Sequence, residues 1–320
     1  MALAEAWGWA KVKEWGWGSG SPSASPSAEE PRRYRTPQGR RPIPARPRPG
    51  IDVASMADQP FSMRRERRGR IGHLRPSAPL RLNDTRAVRT PPDSPLLLQL
   101  RTELAGVADP HKAHGMQAYM KSAMPYHGVP SPTLRAVARA LFADLPLPSL
   151  DIWRGHVLEL WRRAAFREER YAALILAHDR RARAFQTPDL LPLHEELVVT
   201  GAWWDYVDEV ASHLIGPILL AHPAEMAPAM RSWSQSHDLW KRRASIISQL
   251  RFKSQTDLQL LYECIGPSIG SREFFLRKAI GWALREYAKT DPEAVRRYVG
   301  ENQALSGLSR REALRQIERR

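Results

Sequence analysis

The sequence predicts an all-α protein in which helical pairs stack into an α-α superhelix of HEAT-like repeats, preceded by a disordered N-terminal tail. From Pro95 onward, amphipathic segments of about 12 to 18 residues alternate with short breaks at Pro, Gly or Asp. Runs of β-branched residues at period two are missing, so strands are not expected. Trp204, Arg243 and Trp282 follow one another at intervals of 39 residues. This spacing is close to the period of about 40 to 47 residues that is typical of HEAT and armadillo repeats.

The first 93 residues have the composition of a disordered tail. They carry 18 Lys/Arg against 9 Asp/Glu, a net charge of +9, and they are rich in Pro, Ser, Gly and Arg without a helical or strand period. Such a segment cannot bury enough apolar surface to offset the entropy that ordering costs. Two interpretations stay open: a nonspecific DNA-binding arm, or an over-extended gene start with translation beginning at Met56, Met63 or later. We therefore place the folded domain at residues 94–320.

Within the folded domain, the helical period and the positions of Pro predict helices that follow one another through short loops. Proline in a first helical turn is favoured, because its missing N–H lacks an intrahelical partner there in any case. Ser131-Pro132, Thr187-Pro188, His222-Pro223 and Asp291-Pro292 have this start chemistry. The predicted helices cover residues 132–142, 150–166, 168–178, 188–199, 203–220, 224–234, 239–250, 257–265, 272–287, 291–299 and 309–318.

Charge and composition narrow the functional classes. The whole chain has a formal charge of +15, of which residues 94–320 contribute +6 from 31 Lys/Arg against 25 Asp/Glu. A basic surplus suits a polyanionic partner, most commonly nucleic acid, although it also serves solubility. No apolar run approaches the roughly 20 residues that a membrane span needs, and the N-terminus lacks a secretory signal. We expect a cytoplasmic protein that associates with the nucleoid when it binds DNA.

The metal-binding and thiol residues predict no metal centre. Cys264 is the only cysteine, which excludes an intramolecular disulfide and a CxxC-type zinc site. Its apolar neighbours indicate a small buried residue rather than a nucleophile. The histidine pairs 111/114 and 213/222 lack the spacing and the carboxylate company of a metal site. No metal and no organic cofactor are expected.

A candidate site follows from residues that share one side of the stack. Trp204 and Asp208 are four residues apart, so on a helix they project from the same face. Arg243 and Trp282 recur once per repeat and would fall on the same side of their own units, so that all four could line one concave groove. The competing interpretation is that tryptophans at helical spacing simply pack in the core. An indole, a carboxylate, a guanidinium and a second indole in a basic groove favour a DNA-repair site.

At these residues the chain resembles the AlkD-type DNA alkylation repair glycosylases, a family built from HEAT-like repeats. The resemblance runs from about residue 95 to the C-terminus and is carried by residues 117–121, 128–130, 203–208, 242–244, 274–288 and 308–313. It implies that Trp204, Asp208 and Trp282 are catalytic and that Arg243 contacts the DNA backbone beside them. The family also contains members that bind DNA without excising bases, so a non-catalytic DNA-structure-binding or scaffold protein is the alternative.

The resemblance also implies a substrate: double-stranded DNA with purines alkylated at N3 or N7, approached without flipping the base. Such a base carries a positive charge and leaves as a neutral molecule, so that no general acid is needed. Asp208 would then stabilise the oxocarbenium ion and orient or deprotonate the attacking water. Lys241, Arg242, Lys278 and Arg285 would add phosphate affinity if they face the groove, their alternative being a solvated helix face.

The absence of a proposed lysine nucleophile predicts a monofunctional enzyme, because a β-lyase needs an amine for a Schiff base. No feature of the sequence implies an oligomer, so we expect a monomer.

Overall fold

The computed structural model describes residues 92–318, and every structural statement below refers to that range. It contains fourteen α-helical segments and no strand within these bounds, which confirms the predicted all-α class. None of the helices in this range is long and apolar enough to cross a membrane. Nearly all of the predicted disordered tail lies outside the described residues, and the domain boundary at residue 94 stays a prediction.

The first six helices form the N-terminal part of the stack. Ser94, Asp109 and Ser149 accept hydrogen bonds from the first-turn amides of their helices and so define where α1, α2 and α4 begin. The first two helices were not predicted individually, although Ser94-Pro95 and Asp109-Pro110 have the same start chemistry as the helices that were. The helices are α1 (Pro95–Gly106), α2 (Pro110–Met120), α3 (Ser131–Ala143), α4 (Leu150–Arg162), α5 (Arg167–Ala177) and α6 (Leu191–Gly201).

The remaining eight helices carry all four candidate residues. They are α7 (Trp204–Glu209), α8 (Gly216–Ala221), α9 (Pro223–Ser234), α10 (Leu239–Ile247), α11 (Leu258–Ile265), α12 (Phe274–Tyr287), α13 (Pro292–Glu301) and α14 (Gly307–Leu314). Trp204 and Asp208 lie on α7, Arg243 on α10 and Trp282 on α12. Helix α10 packs against both α7 and α12, so that the candidate residues belong to neighbouring elements.

A π-helical segment, Val210–Ile215, joins α7 to α8 in one continuous helix. Its cause is Pro217, which has no N–H to donate and whose ring would collide with the carbonyl of His213 four residues earlier in a regular α-helix. The wider π turn accommodates that ring. A Cβ at Gly216 would lie 2.7 Å from the carbonyl oxygen of Ser248, so the glycine permits close packing of this helix on the segment after α10. The predicted helix over residues 203–220 is thereby confirmed in extent.

Several predicted helices are longer than the observed ones, and for two of them the contacts that replace the last helical turn are visible. The segment 150–166 was predicted as one helix, but α4 ends at Arg162 and the turn before α5 is held by Glu169, which accepts a hydrogen bond from the amide of Ala165 at 2.8 Å. The helix predicted over 239–250 ends at Ile247. Gln249 and the backbone of Asp257 exchange two hydrogen bonds of 3.0 and 2.8 Å, which stabilise the turn instead of a further helical turn.

The core runs along the length of the stack as one continuous apolar cluster. Helix α5 packs on α3 and α4, α10 on α6, α7 and α9, and α12 on α10 and α14. The tryptophans at 153, 161, 233 and 240 are buried, as the sequence predicts. Cys264 is buried too, and burial raises the pKa of its thiol to about 12, so it is a packing residue at neutral pH.

Candidate active site

The centre of the candidate site is an ion pair between Asp208 on α7 and Arg243 on α10. Nε of Arg243 donates to Oδ1 of Asp208 at 2.7 Å, and Nη2 donates to Oδ2 at 2.8 Å. This parallel, two-point geometry is the strongest arrangement that an arginine and a carboxylate form. It fixes the plane and the rotamer of the carboxylate.

Arg243 also connects these two helices to the helix of Trp282. Its Nη1 donates to the carbonyl oxygen of Phe275 in the first turn of α12, at 2.7 Å. Trp282 lies seven residues later on the same helix, about 10 Å along its axis. One guanidinium therefore sets the relative positions of the helices that carry Asp208 and Trp282.

The expected contact of Arg243 with the DNA backbone stays a prediction, and the contacts of this side chain within the protein do not favour it. The side chain has no exposed surface, and three of its N–H groups are engaged within the protein. An ion pair with a carboxylate 35 residues earlier, rather than a phosphate, is the contact that the fold provides.

Asp208 itself stays in contact with the surface. Its side chain is 13% exposed, so the protein does not enclose it completely. Burial raises the pKa of this carboxyl above its ordinary value, while the charge and the hydrogen bonds of Arg243 act in the opposite direction. The two parallel hydrogen bonds from the guanidinium favour the ionised form of the carboxylate.

Trp204 and Trp282 are half-buried. Both indoles pack against the core with part of their surface and keep the rest accessible. The packing interpretation of the sequence therefore holds for part of each ring, and the core does not enclose either ring completely. Trp204 lies one turn before Asp208 on α7, so its ring and the carboxylate share one side of that helix.

An aromatic cluster that sequence reasoning missed lies beside the ion pair. The rings of Trp203, Trp240 and Phe275 are mutually in contact, with centroids 5.0 to 6.1 Å apart. The Arg243 guanidinium carbon lies 6.0 Å from the centroid of Phe275. In the sequence, Trp203 stands out only as part of segment 203–208. Nothing in the sequence indicates that its ring meets rings from α10 and α12.

The four remaining predicted cations have partners within the protein. Lys241 pairs with Glu195 at 2.6 Å, Arg242 donates to Ser268 and Pro267, and both Lys278 and Arg285 pair with Glu312. Glu195 and Glu312 were not among the predicted site residues, although Glu312 lies within the motif at 308–313. That these cations bind DNA stays a prediction. Any such binding has to take account of the carboxylates that pair with Lys241, Lys278 and Arg285.

The acidic neighbours of Asp208 face other partners. Asp205 accepts hydrogen bonds from Arg167 on α5 at 2.6 and 2.8 Å and from the hydroxyl of Tyr171 at 2.5 Å. Glu209 lies between His178 at 2.8 Å and His213 at 3.3 Å. Neither joins Asp208, in agreement with the directions expected on a helix. Within residues 92–318 no group of three or more His, Cys, Asp or Glu side chains could hold a metal ion.

A stack of helical pairs that carries one partly exposed carboxylate and two half-buried indoles defines a helical-repeat protein with a candidate DNA-repair site. The chain belongs to the family of DNA alkylation repair enzymes, whose pattern it matches over residues 100–317. It is also similar to the solved structure of a predicted DNA alkylation repair enzyme from Enterococcus faecalis, with 28% sequence identity and a TM-score of 0.61. That similarity covers 67% of this chain and 98% of the Enterococcus chain. No curated protein sequence is significantly similar.

Proposed function

We propose that this member of the family is a monofunctional DNA glycosylase that hydrolyses the N-glycosidic bond of purines alkylated at N3 or N7 in duplex DNA. Family membership supports an enzyme that repairs alkylated DNA. The observation that carries the finer proposal is the partly exposed carboxylate of Asp208, which Arg243 holds in a fixed position one turn from the half-buried indole of Trp204.

The chemistry needs one carboxylate and no general acid. When the bond between C1′ of the sugar and the purine nitrogen breaks, its electron pair moves to the base and cancels the positive charge of the alkylated ring. The sugar becomes an oxocarbenium ion, which Asp208 stabilises by its negative charge. Water then attacks C1′, and its proton passes to the carboxylate and on to solvent. A preorganised group of this kind contributes about 10²–10³ in rate, roughly 3–4 kcal/mol.

Arg243 makes Asp208 suitable for that task. Each carboxylate oxygen accepts one hydrogen bond from the guanidinium, which leaves further lone-pair directions for a water or the sugar. A carboxylate that accepts two parallel hydrogen bonds from a guanidinium is a poor proton donor but a good electrostatic stabiliser and water-orienting group. The pair therefore favours action on a developing cation over general-acid catalysis.

The indoles supply the second part of the site. The electron-rich faces of Trp204 and Trp282 attract a cationic nucleotide, each with about 0.5–2 kcal/mol. Their packing against the core keeps these faces in place before the substrate arrives. Lysines 241 and 278 are engaged in ion pairs with Glu195 and Glu312, so neither amine is available as a nucleophile for a Schiff base, which supports a monofunctional reaction.

The resemblance to the AlkD type extends the proposal to recognition without base flipping. If no pocket encloses the base, bulky N7 or N3 adducts are excised as well as methyl adducts. Excision that is limited to methyl-sized adducts would contradict this part of the proposal.

The test is release of free alkylated purine from methylated duplex DNA by the full chain, by Asp208→Asn and by Asp205→Asn. Asp205 is the matched control, because it also pairs with an arginine of a neighbouring repeat and its side chain is also 13% exposed. We expect release by the parent and by Asp205→Asn, per folded molecule, and a loss of at least about 100-fold in Asp208→Asn.

A folded parent that binds DNA and releases no base would overturn the enzyme proposal in favour of a non-catalytic DNA-structure-binding protein. Equal losses in the two variants would show that Asp208 acts through stability rather than chemistry.

A further inference from the structure

The boundary between the helix of Asp208 and α10 has a second polar contact beyond the Asp208–Arg243 pair. Nη1 of Arg251, four residues after the end of α10, donates to Nε2 of His213 at 2.7 Å. His213 follows Asp208 by five residues, about 7 Å along the helix axis. Arg251 likewise follows Arg243, by eight residues. The two contacts therefore occur in the same order along both elements, and both belong to one seam between them.

The second contact lies on the accessible side of this seam. His213 is the one residue of the π segment Val210–Ile215 that is not buried. Arg251 is exposed, whereas the next residue, Phe252, is buried, with a ring atom 3.6 Å from where a Cβ at Gly216 would lie. Phe252 thus anchors the turn in the interior while the side chain of Arg251 stays accessible to a ligand.

The contact with Arg251 determines the protonation form of His213. A guanidinium has only donors, so Nε2 of the imidazole accepts and Nδ1 carries the hydrogen. Nδ1 has two acceptors in reach, Oγ of Ser212 at 3.0 Å and Oε2 of Glu209 at 3.3 Å. The hydroxyl of Ser212 donates its own hydrogen to the carbonyl oxygen of Asp208 at 2.6 Å, so it is able to accept. These contacts fix the ring as a neutral imidazole. Burial lowers the pKa of His213 and outweighs the opposing charge of Glu209.

The charge of Arg251 is therefore not cancelled by its partner. Among the described residues, its one hydrogen-bond partner is the neutral imidazole, and no carboxylate forms an ion pair with it. Glu209 lies on the other side of the ring, at Nδ1. A guanidinium has five N–H groups, so an exposed one with a single partner keeps donors for two phosphate oxygens. In contrast, carboxylates pair with Lys241, Lys278 and Arg285.

We propose that Arg251 binds a backbone phosphate of duplex DNA, and that His213 is a positioning residue that holds its guanidinium beside the Asp208 site. A planar guanidinium recognises a phosphate diester through two parallel hydrogen bonds. A neutral acceptor orients the guanidinium and leaves its charge for the ligand, whereas a carboxylate at position 213 would compete with the phosphate. The assignment rests on the proposed function only in that the bound strand is the one whose sugar meets Asp208.

The first experiment measures how binding of an undamaged duplex by the full chain depends on salt. Arg251→Gln removes the charge and the paired donors, so one phosphate contact is lost. The slope of log K against log salt should become shallower by about 0.9. Binding per folded molecule should then be about eightfold weaker than that of the parent at about 0.1 M salt and about equal to it near 1 M.

Arg297→Gln is the matched control. It makes the same change in net charge at an arginine that is also exposed and has no ion pair among the described residues. Arg297 lies on α13, and its charge acts on Tyr262 of α11, so the change falls on elements other than those of the seam. Its slope should equal that of the parent. An unchanged slope in Arg251→Gln, or equal changes in the two variants, would overturn the proposal.

A double-mutant cycle tests the role of His213. His213→Phe keeps a ring and removes both nitrogens, so the guanidinium is no longer held, and binding at about 0.1 M salt should weaken by up to about eightfold. In the Arg251→Gln background the same substitution should change nothing, because no guanidinium remains to be positioned. His213→Gln keeps a neutral acceptor, its amide oxygen, and should bind DNA as the parent does.

Additive losses in the cycle, or a loss in His213→Gln as large as that in His213→Phe, would contradict the positioning role. All of these measurements use undamaged DNA. A parent that binds DNA and releases no base would therefore overturn the proposed function alone, whereas a folded parent that does not bind duplex DNA would overturn both proposals.

Discussion

The Asp208–Arg243 pair makes a quantitative prediction about stability. Asp208→Asn leaves a buried guanidinium without its anion, and Arg243→Met leaves a carboxylate without its cation. Removing one partner of a buried ion pair costs about 3–5 kcal/mol, because the remaining charge stays in a poorly solvating environment. The parallel bonds of 2.7 and 2.8 Å and the complete burial of Arg243 place this pair in that class.

The double variant separates the pair from its parts. With both charges removed, no uncompensated charge remains, so the loss in free energy of unfolding should be smaller than the sum of the single losses by about 2–3 kcal/mol. The measurement is urea unfolding of the parent, both single variants and the double variant of the full chain. The equivalent cycle on Asp205 and Arg167, the second buried pair between neighbouring repeats, is the control for the method.

Additive losses at positions 208 and 243 would refute this reasoning. They would mean that the two side chains do not stabilise each other, and the expectation of an Arg243 that contacts DNA would regain its support.

Three further predictions concern the site and its frame. Burial raises the pKa of Asp208, and the reaction needs the ionised carboxylate. The rate of single-turnover excision should therefore fall as the pH is lowered, with a midpoint above about 4, the ordinary pKa of an aspartate. A rate that does not change between neutral pH and about pH 4 would contradict this. Trp282→Phe keeps an aromatic ring with a weaker cation-binding face, so excision per folded molecule should slow about 2- to 30-fold, and an unchanged rate would remove Trp282 from the site. A Cβ at Gly281 would lie 2.5 Å from Cβ of Glu312, so Gly281→Ala forces α12 and α14 apart and should lower the free energy of unfolding by about 1–3 kcal/mol. Gly155 lies in the exposed middle of α4 with open space around it, so Gly155→Ala should raise the free energy of unfolding by about 0.5–1 kcal/mol. Equal effects of the two variants in thermal or urea unfolding would contradict the close contact at Gly281.

The local chemistry of the sequence predicts much of the fold. Proline in the first turn marks the start of α3, α9 and α13, and the apolar period gives the extent of the long helix that carries Trp204 and Asp208. The one irregularity of that helix, its π segment, has a visible cause in Pro217, but the sequence does not indicate whether a proline kinks, ends or widens a helix. The local sequence therefore predicts where helices form, but it does not predict where a helix becomes irregular.

The contacts within the site depend on how the repeats stack, which the sequence predicts less well. The spacing of 39 residues places Trp204, Arg243 and Trp282 on corresponding helices, but the partner of Arg243 is Asp208, 35 residues away. The repeat spacing predicts the side of the stack on which a residue lies. It does not show whether a cation on that side contacts a phosphate of DNA or a carboxylate of the preceding repeat. Glu312 illustrates the same limit, because its contact with Lys278 follows from the close approach of α14 at Gly281.

The central claim is that Asp208, held by Arg243, stabilises a sugar cation formed when a positively charged base departs. The most direct test compares release of N7-methylguanine, which is cationic, with release of O6-methylguanine, which is neutral, from otherwise identical duplexes by the full chain. The account predicts release of the cationic base alone and its loss in Asp208→Asn. Release of both bases at similar rates would contradict it, because a neutral base needs a general acid that this site does not provide.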